Sequence, residues 1–252
     1  MVIDDPGEPD LWVRAYAVTH PKGLGLSERA YPAWDQLAYA SRGVMSVVTA
    51  ASTWVVPPHR AMWVPAGEPH AVHMSGQVMV RTLFFRRGLV KLPRRCQAVN
   101  VSPLLRELVL EAARAGILRR SQPRQRRLVQ VMVDHLEALP VVGLQLPQPR
   151  DARARRAAEL LQADPGAVLA KVARQAGASK RTLERVFLAE TALSLGRWRQ
   201  RARLIEALRL LAEEHAVTRV ALDVGYRSPS AFVSAFRREL GTTPRRYFAA
   251  RL

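Results

Sequence analysis

The chain has 252 residues, with 39 Lys and Arg against 21 Asp and Glu and a formal net charge of +18. Hydrophobic residues make up 48% of it, enough to bury a core in one large or two modest domains, which excludes a disordered chain. The single cysteine, Cys96, excludes a disulfide framework and a cysteine-rich zinc site. No apolar run approaches the roughly 18 residues of a membrane span, and the acidic, proline-containing start lacks the basic-then-apolar order of a secretory signal. The expectation is a cytoplasmic protein with no membrane partner. The charge is unevenly placed: residues 1–85 hold six basic and seven acidic side chains, 86–150 thirteen and four, and 151–252 twenty and ten. A basic excess confined to the later part of the chain points to an anionic partner there.

Between Leu37 and Phe85, short runs rich in Val, Thr, Trp and Tyr are separated by Gly43, Pro57-Pro58, Pro65-Ala66-Gly67 and Ser75-Gly76. This spacing predicts several short strands in a small barrel or sandwich. Trp34, Tyr39, Trp54 and Trp63 either line its interior as a site for an apolar small molecule or belong to its core. After about Val99 the period changes. Ser102-Pro103 reads as an N-cap and first-turn proline, followed by Leu104, Leu105, Leu108 and Ala112; Leu128, Val131, Met132, His135, Leu136 and Leu139 write a second helix. These two helices are expected to pack on the barrel or on a second copy. Pro140, Pro147 and Pro149 punctuate a stretch with no period, read as a linker over 140–151.

The last hundred residues repeat one pattern. Leu169, Val172-Ala173, a turn at Gly177, then Ser179, Leu183, Val186 and Phe187 are followed by Val217, Val220-Ala221, a turn at Gly225, then Ser228, Phe232 and Phe236. Each copy places a small residue where two helices cross, a glycine in the turn, and a serine that caps the next helix. Two such helix-turn-helix units are joined by a proline-free helix from Leu195 to about Glu214. At 1.5 Å per residue a helix of about 20 residues is about 30 Å long, close to the roughly 34 Å between successive major-groove faces of B-DNA. The outward residues of the first recognition helix are Lys180, Arg181, Glu184, Arg185 and Leu188; those of the second are Ser230, Val233, Ser234, Arg237 and Arg238. Arg and Glu can read guanine and cytosine edges, whereas Arg237 and Arg238, late in their helix, suit phosphates.

The stretch beginning Ser194-Leu-Gly-Arg-Trp-Arg, with the string Gly225-Tyr, Ser228-Pro-Ser-Ala-Phe, Phe236-Arg, Gly241-Thr-Thr-Pro and Tyr247, strongly resembles the AraC/XylS family of transcriptional regulators over about residues 152–250. The resemblance implies base contacts at Arg181, Glu184, Arg185, Ser230 and Ser234. Lys180, Arg237 and Arg238 are expected on the DNA backbone. One departure is Ala192, where the family usually has glycine in the turn after the first recognition helix.

The N-terminal region is similar to the cupin sensor domains joined to such regulators. Pro65-Ala-Gly-Glu-Pro-His70 fits the second cupin motif, and Gln36 and Gly43 fit the end of the first. The paired histidines that the resemblance implies before Gln36 are replaced by Arg29, Ala30, Tyr31 and Pro32. Of the roughly three protein ligands a catalytic metal needs, only His70 is matched, so no metal, cofactor or catalytic residue is expected. The effector-binding candidates are Trp34, Gln36, Tyr39, Trp63 and His70.

The fold expected is α+β: a cupin-like sensor barrel over 1–100, a helical segment over 101–139 that is a candidate for dimerisation, a linker over 140–151, and an all-α tandem helix-turn-helix domain over 152–252. The function expected is sequence-specific regulation of transcription, with double-stranded DNA, a small-molecule effector, a second copy of the chain and, for an activator, RNA polymerase as partners. The rival readings are a metal-dependent cupin enzyme with a basic appendage and a nucleoid-type DNA binder without sequence preference.

Overall fold

The computed structural model describes residues 8–58, 60–137 and 144–249. They form two compact units, divided before Leu144, with Ala50–Thr53 grouped with the C-terminal unit.

In the N-terminal unit, β1 (Leu11–His20), β2 (Gly25–Arg29), β3 (Trp34–Val48), β4 (Ser52–Val56), β5 (Arg60–Val64), β6 (His70–Arg86) and β7 (Gln97–Asn100) precede α1 (Pro103–Ala115), β8 (Ile117–Arg119) and α2 (Pro123–Glu137). The main path of the sheet is β7-β5-β3-β6-β1-β8, with β2 added on β6. Its frame is the long antiparallel pair β3 and β6, which slips register between Ala40 and Val44. Gly43 takes φ +80° at that slip, where a Cβ would stand 2.5 Å from the Gln77 carbonyl oxygen. Only glycine fits such a close approach in a left-handed conformation, and the bulge bends the sheet.

The bend gives the sheet two differently filled faces. Ala38, Ala40, Met45, Val47, Val56, Met62, Val72 and Val80 come together from both halves of the bent strands, so the sheet curls around them in the manner of a barrel. Leu37, Tyr39, Ala61, Trp63, Leu83 and Phe85 alternate with them and pack against Leu105, Val109 and Ala112 of α1 and Val129, Met132 and Leu136 of α2. The apolar stripes of both helices are thus spent on the sheet. The stripes differ in detail from the sequence expectation, because Leu104 and Val131 are exposed and Val109 and Val129 take the buried positions. The α1 start is as expected: Leu105 N–H donates to Ser102 Oγ at 3.2 Å, with Pro103 in the first turn.

The C-terminal unit contains β9 (Leu144–Pro147), α3 (Ala152–Ala163), α4 (Leu169–Gln175), α5 (Lys180–Thr191), α6 (Leu195–Ala212), α7 (Val217–Asp223), α8 (Pro229–Leu240) and α9 (Pro244–Ala249). Residues 140–143 of the stretch read as a linker lie outside the described residues. Further on, that stretch carries β9, which lies along the Ala50–Thr53 segment of the same unit, with Gln148 N–H donating to the Ala51 carbonyl at 3.0 Å. Gln145 Nε2 donates to Ser52 Oγ at 2.6 Å, and Trp198 Nε1 of α6 donates to the Pro147 carbonyl at 2.7 Å. The core of the unit joins Leu146, the alanine stripe Ala154, Ala157 and Ala158, Phe187 and Trp198.

Asp151 caps α3 by accepting from the Arg153 and Ala154 amides. The Arg153 side chain, then the Ala154 amide, hold its carboxyl down at about 2. A depressed carboxylate contributes stability that is complete above its unfolded value of about 4 and lost as pH falls through its folded one. Asp151→Asn keeps a capping oxygen without the charge. Its deficit in unfolding temperature at pH 7 is expected to close as pH falls from about 4 toward about 2; a deficit constant over that range would deny the charge its role.

Ala192, the departure from the family glycine, sits at φ 56°, ψ 16° as the C-cap of α5. A left-handed residue with a Cβ costs about 1–2 kcal/mol, and glycine gives back about 0.5–1 through its looser unfolded chain. Ala192→Gly should therefore stabilise the fold by up to about 1 kcal/mol, read as a rise in thermal midpoint.

Candidate nucleic-acid interface

The two helix-turn-helix units repeat in hydrogen bonds as well as in sequence. In the first turn Gly177 N–H donates to the Arg174 carbonyl and Ala178 N–H to the Ala173 carbonyl; in the second Gly225 N–H donates to Leu222 and Tyr226 N–H to Ala221. Both turn glycines have positive φ, 68° and 82°. The serine caps are made: Ser179 Oγ accepts from Thr182 N–H at 3.1 Å, and Ser228 Oγ from Ala231 N–H at 3.3 Å. On α5, Leu183, Val186 and Phe187 are buried, which turns Arg181, Glu184, Arg185 and Leu188 outward as exposed residues. Lys180 Nζ lies 3.5 Å from Glu184 Oε1, one turn away, a solvent-exposed pair that can exchange for nucleic-acid contacts at little cost. On α8, Phe232 and Phe236 are buried and Ser230, Ser234, Arg237 and Arg238 are exposed, while Val233 is half-buried. The Ser230 hydroxyl is 3.0 Å from that of the capping Ser228, so it is held at the mouth of the helix.

The joining helix α6 has 18 residues, and its rise of 1.5 Å per residue makes it about 27 Å long. It also ties the two units together. Arg199 Nη2 donates to the Ala167 carbonyl at 2.6 Å, and Arg203 Nε to the Pro165 carbonyl at 2.9 Å, both in the α3–α4 loop. The Arg203 guanidinium lies 5.5 Å from the ring centroid of Tyr226 in the second turn. The two arginines thus bind a carbonyl cluster of the first unit and an aromatic face of the second. Sequence reading missed this clamp, although two arginines four residues apart on a helix otherwise lined by Trp198, Ala202 and Leu208 are its visible signal.

Residues 172–250 match a family described as "Helix-turn-helix domain". The chain is 35% identical over 216 residues to the HTH-type transcriptional regulator NimR of Escherichia coli, covering 85% of this chain and 79% of that relative. It belongs to the AraC-type family of helix-turn-helix transcriptional regulators. The regulatory protein SoxS of Salmonella typhimurium is 40% identical over 77 residues, which is 30% of this chain and 72% of that one. Among solved structures, ToxT of Vibrio cholerae with bound unsaturated fatty acid aligns over 96% of this chain and 95% of its own, at 11% identity and a TM-score of 0.39. As a member of the AraC-type family, the chain is a DNA-binding transcriptional regulator.

The regulator's five effector-binding candidates do not share one face. Cross-strand register pairs Gln36 with Val64 and with Phe84, on the side of the sheet that curls inward. Trp34 packs there with Tyr31 and Phe84, and His70 is buried beside Tyr31, 6.1 Å between ring centroids. Tyr39 and Trp63, by contrast, belong to the core against α1 and α2. Of the two alternatives for these aromatics, interior or core, the core holds for Tyr39 and Trp63, which corrects their place among the effector candidates, since strand side chains alternate and positions 36 and 39 must face opposite ways. Three buried polar atoms on or near the inward side, Trp34 Nε1, Gln36 Oε1 and Trp54 Nε1, have no hydrogen-bond partner among the described residues. Burial holds the His70 ring below its ordinary pKa, and its Nδ1 is 3.0 Å from the Glu68 carbonyl, which leaves Nε2 as an acceptor when Nδ1 carries the proton. Cys96 is inert by comparison, its thiol pushed up to about 12 by burial. Among the described residues no three His, Cys, Asp or Glu side chains are placed to hold a metal ion, and no helix is long and apolar enough to cross a membrane.

Proposed function

We propose that the chain is a cytoplasmic, non-enzymatic, effector-controlled regulator that reads a specific operator through α5 and α8. The exposed Arg181, Glu184 and Arg185 on one face of α5 carry the reading, with Ser230 and Ser234 contacting bases from α8. Lys180, Arg237 and Arg238 hold phosphates. The sensor spans the barrel of 1–100 and the helices of 101–139, the latter also serving a homodimer, and the DNA-binding domain spans 152–252. RNA polymerase is a further partner if the regulator activates.

The effector enters the inward face of the barrel and needs no cofactor. Buried polar groups without partners cost roughly 1–3 kcal/mol each, so a small molecule that accepts from Trp34 Nε1 and donates to Gln36 Oε1 gains affinity from both. Such a ligand shifts DNA binding only by its differential affinity for the two states of the sensor.

Selection of bound fragments from a genomic library, followed by footprinting, tests the reading. A discrete protected site shared by the recovered fragments is the expected result. Uniform protection without a common site would replace it by a nucleoid-type binder.

A further inference from the structure

The excess charge of residues 86–150 is not used by the operator reading proposed above. Its densest part surrounds the N-terminal end of α2, where Arg119, Arg120, Arg124, Arg126 and Arg127 occur within nine positions that hold no acidic residue. The buried stripe of α2 passes through Val129, Met132 and Leu136, and continuing it back one turn reaches Gln125. Positions 124, 126 and 127 therefore lie on the solvent half, and all three arginines are exposed. The first turn of α2 has no acidic side chain. This placement opposes folding, because the N-terminus of a helix is its positive end and favours anions.

Little among the described residues offsets it. Arg124 Nη2 is 3.6 Å from Glu111, but that carboxylate also holds Arg114 at 3.0 Å. Arg126 and Arg127 have no ion pair among the described residues. Arg119 is bound to Glu8, and Arg120 lies 6.0 Å from the ring centroid of Trp12. All five cations are arginines, whose planar forks match phosphate oxygens in pairs.

We infer that the α2 end is a second DNA contact, a sequence-neutral clamp on backbone phosphates made by Arg124, Arg126 and Arg127 of the sensor unit. Three exposed guanidiniums on one helix end, with Arg119 and Arg120 beside them, exceed what one small anion can use. The helix-turn-helix unit of the same chain already brings a polyanion to the molecule at high effective concentration. Phosphate contacts fix position and carry no base information, so this clamp adds affinity and salt dependence without altering the operator read.

The test uses the full chain carrying Arg124→Gln, Arg126→Gln and Arg127→Gln together. Glutamine is a good helix former and removes charges that oppose the dipole, so the thermal midpoint should hold or rise. Affinity for cognate and scrambled duplexes should fall in parallel, on the order of tenfold at low salt, and the slope of log K against log salt should become shallower by about 2–3. A control with Arg87, Arg94 and Arg95 changed to Gln removes the same charge from an exposed loop of the same unit and should leave the slope nearly unchanged. Equal loss in both triple variants would reduce the effect to net charge and overturn the clamp. Unchanged DNA binding with weakened transcription in vitro would assign the patch to an acidic surface of RNA polymerase, and unchanged DNA binding with loss of the dimer in sedimentation would assign it to a second copy. Either result also overturns the clamp.

Discussion

Gly225→Ala is expected to destabilise the C-terminal unit by about 1–4 kcal/mol and to abolish tight operator binding, whereas Gly177→Ala, at the matching turn of the first unit, should cost only up to about 1 kcal/mol once the lost glycine entropy of the unfolded chain is set against the left-handed penalty. Both glycines have positive φ, so each substitution carries the left-handed penalty. Around Gly177 a new Cβ meets nothing within 4 Å. At Gly225 it would stand 2.7 Å from the Gly166 Cα, 2.9 Å from Arg203 Nη2 and 3.2 Å from the Gly166 amide nitrogen. The first and third of these are backbone atoms, so the conflict is relieved only by parting the two units, and overpacking of this kind adds typically 1–3 kcal/mol. Moving Gly166 also disturbs the Pro165 and Ala167 carbonyls that accept from Arg199 and Arg203. Domains have only about 5–15 kcal/mol of stability in all, so the Gly225 variant should show both a lower unfolding midpoint and lost affinity. Equal midpoints for the two variants would mean that the close approach of Gly166 and Gly225 does not hold the units together.

The repeat was legible because each of its parts has a local cause. A turn glycine, a capping serine and apolar residues three and four apart act within a dozen residues, and the structure places α4, α5, α7 and α8 where they predict. The α3 helix was passed over, although Asp151 caps it and Ala154, Ala157, Ala158 and Leu161 follow at helical spacing. Alanine is a weak hydrophobic signal, and Arg153, Arg155 and Arg156 interrupt the stripe. The β9 strand was not legible at all: four residues that end on Pro147 have no period of their own, and it exists because Ser52 and Trp198 of the same unit bond to it. In the barrel the strands were readable, but aromatic character alone leaves Tyr39 and Trp63 open between the interior and the core, a choice that strand parity makes. Arg14, 5.6 Å from the ring centroid of Trp34, and Tyr31 and Phe84 beside it emerged only from cross-strand register, a long-range property.

Arg181→Ala and Arg185→Ala should each cost about 1–3 kcal/mol of affinity on the cognate operator, with relaxed base preference and little change on a scrambled duplex. The two side chains are four residues apart on the exposed face of α5, opposite Leu183, Val186 and Phe187, so truncating them leaves the core untouched. Neither has an ion pair among the described residues, so each is free to fork onto a guanine edge, unlike Glu184, which Lys180 engages. Because they are neighbours on one helix face, the double variant should lose a different amount from the sum of the singles. Arg237→Ala is the contrast. It lies in the last turn of α8, and its loss should weaken cognate and scrambled duplexes alike and make the salt slope shallower by about 1. If Arg181→Ala or Arg185→Ala behaved as Arg237→Ala is expected to, α5 would be gripping phosphates, and sequence reading would have to come from the serines of α8.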